Sequence, residues 1–256
     1  MKNYVTLEKR DEVMIVRFDR KKALNAFDQQ LILELTETAQ SLAKDLSIRS
    51  IVLTGSSTAF SSGIDLKDAT NWDLSQMSEL EVRQRFYRGV KLCQAWEDLP
   101  QITITAAEGM MVGAGCAIGL ACDWRVLAED AYLLVPEVQV GLNLQWGALP
   151  RLVTLVGPAR AKEICLLGEK MPASQALDWG LVNRISPSGG SVEVAWELAR
   201  RCAENPPIPA VMIKEAVNAI AGALHKVGSY ADADQSQLSG TNAAAQQARA
   251  NFADKK

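Results

Sequence analysis

The stretch Val112–Asp123 reads VGAGCAIGLACD. It carries no charge before its final aspartate, and seven of its first ten residues are Gly, Ala or Cys. A backbone this bare is needed where another element packs very close, or where a ligand approaches the main chain. The segment before it, QITITAAE at 101–108, is β-branched and short, and reads as a strand. Strand, bare turn and helix in that order present free N–H groups at the positive end of a helix.

A second bare turn lies at 54–67, TGSSTAFSSGIDLK, after the apolar run SIVLT. Ser61, Ser62 and Gly63 precede Ile64, and a helix is expected to follow. Two such N–H groups converging on one oxygen would form an oxyanion hole. Either turn taken alone also suits glycines that serve helix–sheet packing. Nucleotide-phosphate binding is the third use, but G-x-G-x-x-G is not met: Gly113 and Gly115 fit, position 118 is Ile118, and Gly119 comes one residue late. The P-loop lysine is absent as well.

The chain has 256 residues, 48% hydrophobic and 22% charged, ordinary values for a globular protein with a sizeable core. A formal net charge of −3 gives no global pull toward nucleic acid. The N-terminus has no apolar signal-like region and no apolar run is long enough to span a bilayer, so the cytoplasm is the expected compartment, with no membrane partner. The five cysteines are scattered and form no C-x-x-C, which reads as reduced core thiols. His225 is the only histidine. Ser-His-Asp triads and multi-histidine metal sites therefore find no support, and no metal site is expected. His225 itself reads as a solvent-edge helix residue. Proton chemistry falls mainly on carboxylates, Tyr, Lys or Cys.

Along the chain, EVMIVRFD (12–19) reads as an alternating strand. Asp28 caps a helix with Leu31, Leu35, Leu42 and Leu46 at helical spacing. A helix over 79–98 carries Leu80, Phe86, Val90 and Trp96, and DWRVLAED and AYLLV give two more strands. Residues 1–135 thus alternate strands with helices or bare turns, an α/β core. After about residue 150 the texture is helical, in runs starting at Gly157, Pro172, Val192 and Pro209, with an alanine-rich tail after Asp234.

The third element of interest is LLVPEVQVGLNLQWGALPRL at 133–152. Glu137 follows Pro136 at the end of an apolar run. A half-buried carboxylate there would have its pKa raised toward neutral, which suits a general base. A strand-end surface charge is the plain alternative.

Five ordered blocks, KKALNAF, AFSSGIDLK, VGAGCAIGLACDWRVLAED, VPEVQVGL and PARAKEICLLGEKMPASQALDWGLVNRI, together resemble the crotonase superfamily, the enoyl-CoA hydratase/isomerase family. The resemblance implies an α/β fold: a crotonase-like spiral of ββα turns over residues 1–190 with the acyl-CoA site, and a helical C-terminal trimerisation region over 191–256. It implies a homotrimer or hexamer and an acyl-CoA thioester substrate, with coenzyme A entering as part of that substrate and no separate cofactor. By position, the oxyanion donors are the N–H groups of Ile64 and Ala114, flanked by Gly63 and Gly113, and Glu137 is the catalytic carboxylate. Lys22, Ala23, Ala59 and Ser61 are the implied coenzyme A neighbours.

The sequence departs from that pattern in two places. Hydratases of the family use a second glutamate three residues beyond the second oxyanion donor, where Ala117 stands here. Glu108, the nearest acid, precedes the turn and reads as structural. The family's usual Pro-Gly after the glutamate is Leu144-Gln145, followed by Trp146. Gln145 is a candidate to hydrogen-bond a polar acyl group or a water, and Trp146 to close the acyl pocket; plain structural packing is the alternative for each. A single glutamate suits movement of one proton between C2 and C4, an enoyl-CoA isomerisation. Hydration or lyase chemistry, thioester hydrolysis and a non-catalytic coenzyme A-binding scaffold are the alternatives.

Overall fold

The computed structural model describes residues 3–254. The backbone advances as a spiral in which each turn adds one strand to a large sheet, one segment to a smaller sheet, and a helix outside them. The large sheet holds β1 (Val5–Arg10), β2 (Val13–Phe18), β3 (Ser50–Thr54), β4 (Ile102–Ala107), β6 (Trp124–Ala128) and β9 (Arg184–Ser186), in that order. Only the β1–β2 pair is antiparallel. The small sheet holds β5 (Met110–Val112), β7 (Tyr132–Leu134) and β8 (Met171–Pro172). Parallel bridges Ser61↔Met111 and Phe27↔Ile64 continue it into the earlier turns of the spiral.

Helices follow each pair of segments: α1 (Gln29–Leu42), the short α2 (Ala69–Trp72) with α3 (Glu79–Glu97), α4 (Ala114–Ala121) and α5 (Ala148–Leu167). Asp28 caps α1 by accepting from Leu31 N–H. Ser78 and Glu81 form a capping box that starts α3. The chain ends in α6 (Ala173–Asp178), α7 (Ser191–Ala203), α8 (Pro207–Ala221), α9 (His225–Ser229), α10 (Asp232–Thr241) and α11 (Ala243–Asp254). Among the described residues no single helix is long and apolar enough to cross a membrane.

Several local expectations change. The run at 12–19 does not alternate inside with outside, because β2 is buried on both faces. Met14, Val16 and Phe18 enter the core inside the spiral, whereas Val13 and Ile15 meet a second cluster with Ala195 and Ala199 of α7. Strand β1, charged and exposed, forms the sheet edge and carries no apolar signal of its own. Leu46 lies beyond α1 and is exposed. The helix expected from Gly157 is present as the second half of α5; Gly157, with φ 76°, marks a kink, and an unexpected first segment over residues 148–156 precedes it. The helix expected after the turn at 54–67 is the four-residue α2.

Candidate active site

The two bare turns meet side by side. In the bridge between Phe27 and Ile64, Phe27 N–H donates to Gly63 O and Asp65 N–H donates to Phe27 O. That parallel register leaves Ile64 N–H facing away from the bridge. The second turn is held by Val112 N–H on Ser61 O and Gly113 N–H on Leu134 O. Ala114 then opens α4, where a first-turn N–H has no intrahelical acceptor. Among the described residues neither Ile64 N–H nor Ala114 N–H has an acceptor. Gly63 and Gly113 take positive φ, 96° and 50°. A Cβ on Gly63 would stand 3.9 Å from Ala114 N, so the turns touch through bare backbone.

Glu137 lies on the same ground. It opens a 3-10 turn, Glu137–Val140, directly after Pro136. Its Oε2 is buried and has no hydrogen-bond partner. Burial pushes the carboxyl up to about 7, and the hydrogen bond from its own backbone pulls only weakly the other way. A carboxylate buried among apolar groups without a cation is costly unless a proton or a ligand relieves it.

Ile64, Ala114, Ala117, Glu137, Gln145 and Trp146 all line one cleft of about 710 Å³, part of it open to solvent. Glu137 is the only carboxylate among the described residues of that lining. The remaining wall comes from Gln29 and Ile32, from Asn71 and Trp72, from Arg85, Phe86 and Gly89 of α3, from Leu142, Asn143 and Leu144, and from Ser236 of α10.

Trp146 takes φ 62°, packs edge-on against Phe27 at 5.6 Å, and occupies the space a side chain at Gly89 would need. Arg151 donates to Trp146 O and Gly147 O, and Gly147 N–H donates to Asp232, so buried charges hold the strained turn. Arg151 is itself clamped by both oxygens of Glu97, whose Oε1 also meets His225 Nδ1 at 3.2 Å. His225 is therefore not a solvent-edge residue: its side chain is 13% exposed, at the start of α9. Gln145 Nε2 donates to Asn143 Oδ1 at 3.1 Å, within the cleft.

The other candidates do not line the cleft. Lys22 and Ala23 are exposed, on a 3-10 turn with left-handed backbone at Ala23, Leu24 and Asn25. Buried Asn25 holds that turn by donating to Phe18 O and Phe60 O, and Ser62 ties it down through Leu24 O and Ala23 O. Ala59 and Ser61 are buried, and Ser61 Oγ accepts from Gly63 N–H. Behind Ile64, Asp65 pairs with Arg20 at 2.9 Å, and Arg20 also pairs with Asp28 at 2.8 Å. Asn71 donates to Asp65 O and Phe27 O. Glu108 accepts from Gly189 N–H and Ser191 N–H at the start of α7, a structural cap. Sequence reasoning put Phe86 on a helix but brought none of Asn71, Arg85, Phe86 and Gly89 to the site. A glycine inside an otherwise regular α3 was the one available signal.

The family model for enoyl-CoA hydratase/isomerase matches residues 8–256. A mitochondrial enoyl-CoA hydratase of Pongo abelii is 35% identical over 222 residues, covering 84% of this chain and 73% of that protein. The solved structure of an enoyl-CoA hydratase from Bacillus anthracis is similar with a TM-score of 0.78 at 30% identity, covering 89% of this chain and 90% of that one. A monofunctional enoyl-CoA isomerase from M. smegmatis is similar with a TM-score of 0.72 at 26% identity, covering 86% and 95%.

Proposed function

The chain belongs to the enoyl-CoA hydratase/isomerase family of acyl-CoA enzymes, and from that premise we propose that it moves a carbon–carbon double bond along an enoyl-CoA. The observation that carries this reading is the lone carboxylate. Glu137 stands in the cleft with Ala117 where a second acid would be needed.

The chemistry follows from the thioester. Glu137 as carboxylate takes a C2 proton from a 3-enoyl-CoA. The electron pair left behind spreads onto the thioester carbonyl oxygen and, through the C3–C4 double bond, onto C4. The N–H groups of Ile64 and Ala114 stabilise that charge, each worth on the order of 10²-fold in rate. The pair then returns toward C4, which takes the proton back from the Glu137 carboxylic acid. The double bond ends between C2 and C3, and no water or redox partner is consumed. A carboxyl with a pKa of about 7 serves both half-steps, because it accepts and releases a proton with similar ease near neutrality.

A second reading is hydration. The bonded pair Asn143–Gln145 offers donors and acceptors to a water in the same cleft. It supplies no second acid, which is why isomerisation is preferred. We also propose a homotrimer or hexamer, supported by the exposed Ile208, Met212, Ile213, Val217 and Ile220 of α8. Lys22 and Ala23, exposed beside the 61–64 turn, are proposed to meet the coenzyme A arm. The test is exchange of α-protons of an acyl-CoA in D₂O. Exchange that disappears in Glu137→Gln supports the reading, whereas no exchange across a panel of thioesters favours a non-catalytic scaffold.

A further inference from the structure

A second cavity adjoins the cleft and shares Trp72, Phe86, Leu142 and Ser236 with it. It encloses about 900 Å³, part of it open to solvent, and is closed on its far side by α10 and α11. None of Lys22, Ala23, Ala59 and Ser61 lines it; it shares its wall instead with the cleft that holds Ile64, Ala114 and Glu137. Most of its inner wall is apolar, through Leu66, Trp72, Leu74 and Phe86.

One charge stands in that wall. The Arg249 guanidinium lies over the Trp72 ring, 5.3 Å from its centroid, and Nη2 donates to Gly240 O. Nη1 is screened from water and has no hydrogen-bond partner. Among the described residues no carboxylate forms an ion pair with Arg249. The buried Arg20 and Arg151, by contrast, each face carboxylates. A guanidinium held on an aromatic face beside a cavity, with an unmet N–H donor and no counter-charge, is poised for an anion.

We propose that this second cavity receives the distal end of the acyl chain and that Arg249 pairs there with a terminal carboxylate. The preferred substrates are then ω-carboxyacyl-CoA thioesters rather than plain fatty acyl-CoA thioesters. The inference rests on the acyl-CoA reading above and deepens it. Pairing requires only that the guanidinium turn from the Trp72 face so that Nη1 meets the incoming oxygen. The expected gain from one charge-assisted contact is about tenfold or more in affinity.

Binding separates this inference from the catalytic one, because saturated thioesters bind without reacting. Calorimetry on the full-length protein compares ω-carboxyacyl-CoA and acyl-CoA probes of matched chain lengths. The expected result is a Kd at least about tenfold lower for the carboxylated member at one or more lengths. In Arg249→Met that ratio collapses toward one, and in Arg249→Lys part of it survives. Equal affinity of the unaltered protein for both members overturns the inference while leaving the acyl-CoA reading intact. So does a ratio that persists in Arg249→Met, or an equal weakening of both thioesters and of free coenzyme A, which would place Arg249 on the coenzyme A arm. Failure of the unaltered protein to bind any thioester overturns both.

Discussion

A methyl group built on Gly113 would stand 2.7 Å from Glu137 Oε1. The bare turn ahead of α4 and the carboxylate after β7 thus share one small volume, and the absence of a side chain at 113 is what lets the carboxylate lie against the backbone. Gly113 also takes φ 50° with ψ −110°, a conformation that L side chains avoid. Gly113→Ala is therefore expected to displace both Ala114 N–H and Glu137. A shift of about 1 Å costs about 10²-fold in kcat. Steady-state rates, with circular dichroism to verify the fold, check this. Full activity would mean that the turn is not part of the site.

Glu137→Gln keeps the size of the side chain and removes its ability to hold a proton. A fall in kcat of about 10²–10⁴-fold with little change in thioester affinity is expected for loss of a general base. Single-turnover kinetics and calorimetric binding separate the two effects. A large loss of affinity with kcat unchanged would assign Glu137 to binding instead.

The pH dependence follows from the raised carboxyl, at about 7 against an ordinary 4.5. The base must be ionised, so kcat/KM rises about tenfold per pH unit below 7 and levels off above it. Stability runs the other way. The folded protein holds the Glu137 proton where the unfolded chain has lost it, so this residue's contribution falls as pH rises from about 4.5 to about 7 and is constant beyond. The total is about 3 kcal/mol. Thermal melts of Glu137→Gln should therefore gain on the unaltered protein as pH rises through that window. A gap that does not change with pH contradicts the burial argument.

Gly89 makes room for Trp146: a Cβ there would lie 2.0 Å from the indole Nε1. Gly89→Ala must push the indole into the cleft or off Phe27. A loss of about 1–3 kcal/mol in stability and a raised KM for the acyl substrate are expected. Melting curves and tryptophan fluorescence check it, and an unshifted spectrum with normal KM would show that Trp146 is not held there.

Arg20 joins Asp28 to Asp65, the residue after Ile64, in a buried pair of ion contacts. Arg20→Met leaves two carboxylates uncompensated, a cost of about 3–5 kcal/mol. The melting temperature should fall steeply, and a variant that survives should lose kcat through the Ile64 turn. Retention of both stability and kcat would show that the pair does not anchor that turn.

The parts of the site visible in the sequence were those carried by short contiguous patterns. Ile64 and Ala114 each follow a strand and a bulk-free turn, and Glu137 closes an apolar run. The structure brings all three to one cleft with Gln145 and Trp146. What stayed hidden depends on contacts between distant segments. Gly89 and Trp146 are paired only by the packing of α3 against the turn before α5. His225 looked exposed because Glu97, which it meets, lies 128 residues away. β1 is an edge strand of mixed charge with no apolar face to reveal it, and Leu46 continued a helical spacing past the true end of α1. The start of α5 was masked by the left-handed Trp146 and Gly147, whose strain is offset by Arg151 and Asp232.

The central claim is that one carboxylate moves one proton on a thioester held by two amides. Incubation with 3-enoyl-CoA and 2-enoyl-CoA, following double-bond position and water uptake separately, tests it most directly. The account predicts that 3-enoyl-CoA is converted to 2-enoyl-CoA without gain of water, and that Glu137→Gln stops it. Rapid addition of water to 2-enoyl-CoA, with 3-enoyl-CoA left unchanged, would contradict it.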